Sequence, residues 1–312
     1  MKVIIQIPCY NEEKTLPLVF EKIPKKIPGV DIIETLIIDD GCTDKTVEVA
    51  KKLGVDHIVS RTHRGLARSF HDGTHRALEL GADIVVNTDG DNQYPQEKIA
   101  DLVKPIIDGK ADIVIADRQT AKIAHFSPLK KLLQRFGSFV VNKAAGTNLP
   151  DAPSGFRAYS RESLMRINVI TRFSYTMETI IQAGNKDLVI ASVPVTTNPK
   201  TRESRLFKNI WQHVFKSGSA IFRAYVMYRP YMIFTSLGTV MLLGGLAPFV
   251  RYFILLAMGE NGNHLQSLLL GTILITASFL SFALGVISDL IRTNRTLIEH
   301  DLELTKRNYY RR

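Results

Sequence analysis

The sequence predicts an α/β domain built on a mostly parallel sheet, followed by a two-helix apolar hairpin of the kind that spans a membrane. Three observations carry that prediction. Short β-branched apolar runs alternate with segments of helical period through the front of the chain. Acidic loops follow these runs: IPCYNEE at 7–13, DDGCTD at 39–44 and DGDNQ at 89–93. Two apolar stretches, 231–250 and 268–287, lie towards the other end.

The first strand is expected at 3–7, continuous, β-branched and ended by Pro8. Residues 13–27 have a helical period, with Leu16, Val19, Phe20 and Ile23 on the apolar face. A second buried strand at 36–38 leads into a helix from Thr43 that ends near Gly54, and 57–59 is a short third strand. Residues 67–80 read as a helix closed by Gly81, and the strand at 84–87 delivers Asp89 and Asp91 at its carboxyl end. A helix at 97–107 and a strand at 113–116 complete the alternation. Strands and helices so interleaved predict a parallel sheet covered on both faces. Ligands bind such sheets beyond the strand carboxyl ends, where all three acidic loops fall.

Beyond this core, 130–145 is an amphipathic helix, with Leu132, Leu133, Phe136 and Val140 set against Lys131, Arg135 and Lys143. It fits a plain surface helix and a membrane contact equally. Residues 206–226 carry a stronger interfacial stripe: Leu206, Phe207, Ile210, Trp211, Val214 and Phe215 oppose Lys208, Lys216 and Arg223.

The charge follows the same geography. The chain has 312 residues and a formal net charge of +10. Between 200 and 229, Lys200, Arg202, Arg205, Lys208, Lys216, Arg223 and Arg229 face a single acid, Glu203. This block abuts the first apolar run, so it suits anionic headgroups, and no nucleic-acid module appears. About 20 helical residues span the hydrocarbon core, and Gly244, Gly245 and Pro248 are tolerated there. Arg251 snorkels or marks the end of the span. The connection 258–264 holds Glu260 and neither Lys nor Arg, while both outer flanks are basic. The expected topology therefore leaves both protein ends in the cytoplasm. Cys9 and Cys42 make neither a disulfide framework nor a zinc site and suit a reduced compartment. The N-terminal apolar run is too short for a signal peptide. The expected division is a cytoplasmic catalytic domain at 1–204, a juxtamembrane region at 205–229, two spans at about 231–257 and 266–288, and a cytoplasmic tail at 291–312.

The chemistry centres on DGDNQ. Asp89 and Asp91, two residues apart after a strand, offer hard oxygens suited to Mg²⁺ or Mn²⁺ shared with a diphosphate. Such a metal offsets charge developing on a leaving nucleoside diphosphate. No GxxxxGK[ST] loop or GxGxxG fingerprint is present. HDGTH at 71–75 has the spacing of a zinc helix, but Asp72 stands where Glu is required and Gly73 weakens the helix.

The ordered set PCYNEE, DDGCTD, DGDNQ, ADR at 116–118, SGFRAY at 154–159 and RESR at 202–205 resembles family 2 glycosyltransferases of GT-A fold, a Rossmann-like architecture. More narrowly it is similar to the dolichol-phosphate mannose synthase and bacterial polyprenyl-phosphate glycosyltransferase group, over about residues 1–225. The resemblance implies that Pro8, Tyr10 and Glu12 hold base and ribose, that Asp40 completes the nucleotide site, and that Ile38 lines it. It places Asp89, Gly90 and Asp91 at the donor diphosphate, with Asp89, Asp91 and Gln93 around the metal. Arg118, Arg202 and Arg205 would contact phosphates of the donor or lipid acceptor, Ser154 and Gly155 would lie beneath the sugar, and Glu178 matches an acid on the next helix. Cys42, where Ser is usual, and RESR, where Gly commonly precedes the Glu, depart from the pattern.

The expected function is inverting transfer of one sugar from a UDP- or GDP-sugar to a polyprenyl phosphate at the cytoplasmic membrane face. A lipid phosphate is already anionic at neutral pH, so the site must relieve repulsion more than remove a proton. A divalent cation on the donor and arginines on the acceptor would do that. Rival readings are a polysaccharide synthase, which usually has more spans and a QxxRW-like motif, a transporter or flippase subunit, and an inactive scaffold. The sequence leaves open UDP against GDP, the sugar, the lipid length, whether Asp89 also acts as a base, and whether copies form a homo-oligomer.

Overall fold

The computed structural model describes residues 1–120, 128–169, 175–199, 218–219, 226, 230–259, 262 and 264–311. Arg202, Arg205, Glu260 and nearly all of the 206–226 stripe fall outside them. The chain divides into two compact units, Met1–Ala224 together with His300–Arg312, and Tyr225–Glu299.

The first unit holds a seven-stranded sheet in the order β3-β2-β1-β4-β6-β5-β7. Its strands are β1 (Lys2–Cys9), β2 (Ile32–Asp39), β3 (His57–Ser60), β4 (Ile84–Asn87), β5 (Ile113–Asp117), β6 (Arg157–Ser160) and β7 (Ile190–Pro194). β1 pairs in parallel with β2 and β4, β2 with β3, and β5 with β7. β6 runs antiparallel between β4 and β5. β1 is buried from Val3 to Cys9, as a strand covered on both faces should be. On one face Val3, Ile5 and Ile7 pack with Leu16, Val19, Leu102 and Val103.

The covering helices are α1 (Leu16–Glu21), α2 (Thr46–Lys52), α3 (Leu66–Glu79), α4 (Ile99–Ile107), α5 (Pro128–Ala145), α6 (Arg161–Arg166) and α7 (Tyr175–Asn185). α1 is much shorter than the 13–27 run suggests. Pro24 and Pro28 follow it, and the residue before a proline is driven away from helical geometry. α5 buries Ser138, Val141 and Ala144 and packs on α7, while Leu132, Phe136 and Phe139 on its other side are 64%, 63% and 62% exposed. A helix of a water-soluble domain rarely presents such a stripe to solvent.

The second unit is a pair of helices, α8 (Pro230–Ala257) and α9 (Leu265–Tyr309) as far as residue 299, the rest of α9 belonging to the first unit. Both are long and apolar enough to cross a membrane. They approach closely at two glycines: a Cβ on Gly245 would lie 2.9 Å from the Gly271 carbonyl oxygen, and one on Gly271 would lie 2.8 Å from that of Gly245. Ser278 and Ser281 donate across the pair to the carbonyls of Gly238 and Phe234, each at 2.8 Å. Small residues and hydroxyl bonds of this kind hold helices together where water offers no hydrophobic drive. Residues 291–309, expected as a tail, continue α9, with Arg295 and Glu299 paired one turn apart at 2.7 Å.

Candidate active site

The sheet explains why distant motifs meet. The parallel strands β1, β2, β4 and β5 end on one edge and deliver Tyr10, Asp40, Asp89 and Arg118 there. β6 runs the other way, so the loop that enters it, 151–156, reaches the same edge; in register, Asn87 at the end of β4 faces Arg157 at the start of β6. Strand order reverses between β1 and β4, the position at which open α/β sheets take ligands.

On the β1–β2 side, Asn11 takes a left-handed conformation (φ 58°). Its side-chain oxygen accepts from the backbone N–H of Thr43 at 2.7 Å and of Asp44 at 3.3 Å, stitching the first two acidic loops together. Glu12 is buried, its backbone N–H donating to Thr46 Oγ1 and its carboxylate accepting from Thr15 Oγ1, each at 2.7 Å. Asp40, expected to touch the nucleotide, is 3% exposed and turned into the loop before α3. It accepts from the N–H groups of Arg64 and Gly65, both at 2.9 Å, and from Arg61 Nη2 at 2.8 Å, and it pairs with His63 Nδ1 at 2.8 Å. It therefore fixes the 61–65 segment beside the strand ends. His63 in turn stacks on the exposed ring of Tyr10, centroids 4.4 Å apart. Ile38, expected to line the pocket, is fully buried beneath α3, where a Cβ on Gly73 would come within 3.0 Å of it. Pro8 is also buried, within β1. Burial pushes the Cys42 thiol up to about 12 and Cys9 well above its usual value, so neither is a thiolate nucleophile at neutral pH.

The DGDNQ loop rests on a buried polar network. Asn87, fully buried, donates to the Gly155 carbonyl at 2.9 Å and to Tyr175 Oη at 2.8 Å, and accepts from Gln6 Nε2 at 2.7 Å. Gly155 donates its N–H to Tyr94 Oη at 3.0 Å. A Cβ at Gly155 would lie 3.1 Å from Tyr175 Oη, 3.4 Å from Tyr94 Oη and 3.6 Å from Asp89 Oδ2, so only glycine brings this backbone so near the carboxylate. Gly90 likewise abuts Cys9 and Glu12, a Cβ there meeting Cys9 Sγ at 3.1 Å. Gln93 donates to Asp91 twice, from its backbone N–H at 3.1 Å and from Nε2 at 2.8 Å. Burial pushes Tyr94 up to about 12, against the opposing pull of Arg118.

Arg118 forms a fork on Asp151, with Nε at 2.6 Å and Nη2 at 2.8 Å, and its own N–H adds a third contact at 3.1 Å. Arg157 is fully buried and bound by oxygens of neutral groups: the carbonyls of Ser154, Thr176 and Ala152 and the Thr179 hydroxyl, at 2.6–2.8 Å. It ties the 151–155 loop to α7. Glu178, on α7, is 4% exposed. Asn198, just past β7, donates its N–H to the Gln93 carbonyl and Nδ2 to that of Asn92, both at 2.9 Å. Sequence reasoning singles out none of Arg61, Asn87, Asp151, Arg157, Tyr175 or Asn198. Their importance lies in partners far away in the chain.

Asp89 and Asp91 are both half-buried at this edge. Among the described residues no three His, Cys, Asp or Glu side chains gather into a cage for a metal ion. Two carboxylates without a full protein cage fit Mg²⁺ or Mn²⁺ held jointly by protein, water and substrate phosphates. HDGTH is no zinc site here: His71 Nδ1 pairs with Asp72 at 2.9 Å and His75 Nδ1 with Tyr310 Oη at 2.5 Å.

Comparison with known proteins agrees with this geometry. The sequence matches the family described as Glycosyl transferase family 2 over residues 4–167. An uncharacterized protein of Methanocaldococcus jannaschii is 31% identical over 232 residues, covering 69% of this chain and 93% of the relative. The UDP-N-acetylglucosamine–dolichyl-phosphate N-acetylglucosaminyltransferase of Methanococcus voltae is 29% identical, covering 61% and 83%. The undecaprenyl-phosphate mannosyltransferase of Micrococcus luteus is 27% identical, covering 63% and 83%. In fold, the chain is similar to glucosyl-3-phosphoglycerate synthase from Mycobacterium tuberculosis, solved with Mn²⁺, UDP-glucose and phosphoglyceric acid, with a TM-score of 0.54, 21% identity and coverage of 72% and 78%. The sheet is thus GT-A-like, and the chain belongs to glycosyltransferase family 2 and is a glycosyltransferase.

Proposed function

We propose that the protein transfers a single sugar, with inversion, from a UDP- or GDP-sugar to a polyprenyl phosphate at the cytoplasmic face of a membrane. The observation that carries this reading is the meeting of Asp89, Gly155 and the Asn198-tethered segment at one sheet edge, in a chain that also bears two candidate membrane helices. Relatives named for dolichyl- and undecaprenyl-phosphate acceptors support the lipid. The exposed apolar stripe of α5, flanked by Lys131, Arg135 and Lys143, supports a membrane surface.

In this reading Tyr10, with His63 behind it, stacks on the base, and Glu12 and the 61–65 loop close around the ribose. Ser154 and Gly155 lie beneath the sugar, held by Asn87 and Arg157. Asp89 and Asp91 would hold Mg²⁺ or Mn²⁺ with Gln93 beside them, and the ion would offset charge on the diphosphate. The lipid phosphate oxygen attacks the anomeric carbon as the bond to the nucleoside diphosphate breaks. The phosphate is already deprotonated, so the chain's task is to bring two anions together. Arg202 lies four residues past Asn198, which is bonded to the 92–94 loop, so the two Cα atoms can be at most about 14 Å apart. That reach supports Arg202 and Arg205 as partners of the acceptor phosphate.

Incubating the purified protein with a panel of radiolabelled UDP- and GDP-sugars and polyprenyl phosphate tests the reading. Label from one donor should enter a lipid extract as a mild-acid-labile phosphodiester. Label delivered only to water or to a soluble acceptor would overturn the lipid assignment.

A further inference from the structure

Residues 300–311 belong to the same compact unit as the sheet, and they contact α3 at His75. Tyr310 is 7% exposed, and its hydroxyl shares a 2.5 Å hydrogen bond with His75 Nδ1. Its carbonyl accepts from Arg161 Nη2 at 2.5 Å. Lys306, also 7% exposed, donates from Nζ to the carbonyls of Leu164 at 3.2 Å and Ile167 at 2.7 Å, closing the carbonyl end of α6. Arg307 pairs with Glu162. Lys306 shares the lining of one small cavity with Phe70, His71 and His75.

From this strap a continuous set of contacts leads to the nucleotide side. The His75 ring stacks on His71 one turn earlier on α3, centroids 4.4 Å apart. His71 Nδ1 pairs with Asp72 at 2.9 Å, and Asp72 accepts from Arg61 Nη1. Arg61 Nη2 binds Ser69 Oγ at 2.7 Å and Asp40 at 2.8 Å, and Asp40 holds the N–H groups of Arg64 and Gly65. α3 is therefore a shared wall, touched by the strap at His75 and by Arg61 at Ser69 and Asp72. Arg61 is the bolt between α3 and Asp40.

We infer that the C-terminal strap is a positioning element for the nucleotide pocket, with Tyr310 and His75 acting through Asp72 and Arg61 on the loop that carries His63. Burial pushes His75 down to about 4, which keeps it neutral and suits an uncharged bond to the tyrosine. The inference rests on the assignment of that loop to a nucleotide, so its test has one arm that needs none.

In the full-length protein, Tyr310→Phe removes only the hydroxyl. Hydrogen exchange should quicken about tenfold at the amides of Arg64 and Gly65 and stay unchanged at 92–94, which belongs to the other side of the edge. Calorimetry with UDP and GDP should show about fivefold weaker binding of the preferred nucleotide, while the KM for polyprenyl phosphate stays within twofold. In a double-mutant cycle with Asp72→Asn, the exchange effects should overlap, the double variant resembling Asp72→Asn alone. Lys306→Met should reproduce the Tyr310→Phe pattern more weakly. Unchanged exchange at 64–65 in Tyr310→Phe, or effects that multiply in the cycle, would reduce the strap to a local clamp and overturn the inference. Changed exchange in a protein that binds neither nucleotide would uphold the strap and instead refute the nucleotide assignment.

Discussion

The fork between Arg118 and Asp151 separates two roles for Arg118, and its energetics can be worked from the geometry. Asp151 is 2% exposed and the Arg118 side chain 17%, so the pair is largely desolvated. Removing one partner of a buried pair costs about 3–5 kcal/mol, because the other charge is left stranded. The residual exposure of Arg118 favours the lower end, about 3 kcal/mol for Asp151→Asn. For a domain of this size each kcal/mol moves Tm by about 2–4 °C, so the transition should fall by roughly 6–12 °C. Arg118→Leu should cost a similar amount. The double variant Arg118→Leu/Asp151→Leu should cost well under the sum of the single leucine variants, with a coupling of about 2 kcal/mol.

Function then discriminates. At a temperature below every transition, Asp151→Asn should bind UDP or GDP within twofold of wild type, because Tyr10, Glu12 and the 61–65 loop sit on other strands. Its turnover should fall about tenfold or more, a loss near 1.4 kcal/mol, since Arg118 is no longer aimed. Thermal melting and steady-state kinetics on the same preparations measure both quantities. Additivity within about 0.5 kcal/mol in the cycle would refute the pairing. Normal turnover by Asp151→Asn beside a dead Arg118→Leu would show that Arg118 acts without being positioned by Asp151.

Asp91→Asn should lower turnover about 10²-fold or more in a folded protein, and EDTA should do the same to wild type; full activity in EDTA would remove the metal role. Arg202→Ala and Arg205→Ala should each cost about 1.5–3 kcal/mol in the lipid-dependent step while leaving donor binding nearly intact, read by calorimetry beside kinetics with varied lipid. A collapse of donor affinity would reassign them to the diphosphate. His75 is held down to about 4 by burial, so between the unfolded value near 6.5 and about 4 the unfolded chain binds more protons. Stability should therefore be fully present above pH 6.5 and decline as pH falls to about 4, and His75→Gln should flatten that part of a Tm–pH curve.

What can be read from the sequence follows how local the determining physics is. β4 is expected at 84–87 and is found there, because a continuous buried run is a local signal. β6 escapes a reading of the sequence: RAYS is short, polar and begins with a buried arginine whose partners come from 152, 154, 176 and 179. Nothing near Arg157 announces that burial. For α1 the apolar period overstates the helix, although Pro24 and Pro28 are a local signal against it. Asp89 and Asp91 are legible as a pair after a strand, whereas Asp151 is a lone acid in a loop until the fold sets it against Arg118. The continuation of α9 past 288 is equally hidden by composition, since polarity marks the end of an apolar run but not the end of a helix.

The charges at the sheet edge bear on what the reaction still needs. Asp89 and Asp91 contribute two negative charges, and α7 carries a further acid in Glu178. Arg118 is offset by Asp151, and Arg157, though cationic, is turned into carbonyls of the loop that holds Gly155. A nucleoside diphosphate and a lipid phosphate would add several more negative charges beside Asp89 and Asp91. At a separation of 4 Å, two unit charges repel by about 4 kcal/mol at the effective dielectric of a protein surface. Positive charge beside the diphosphate and the acceptor would relieve that repulsion. In the proposed reaction a divalent ion with the donor and the arginines at 202 and 205 are two such sources, and Arg64, exposed on the 61–65 loop, is a third. If the first two are removed together, by chelation and by Arg202→Ala/Arg205→Ala, the remaining activity should fall to that of the site without either, and any substantial turnover would mean the repulsion is relieved elsewhere.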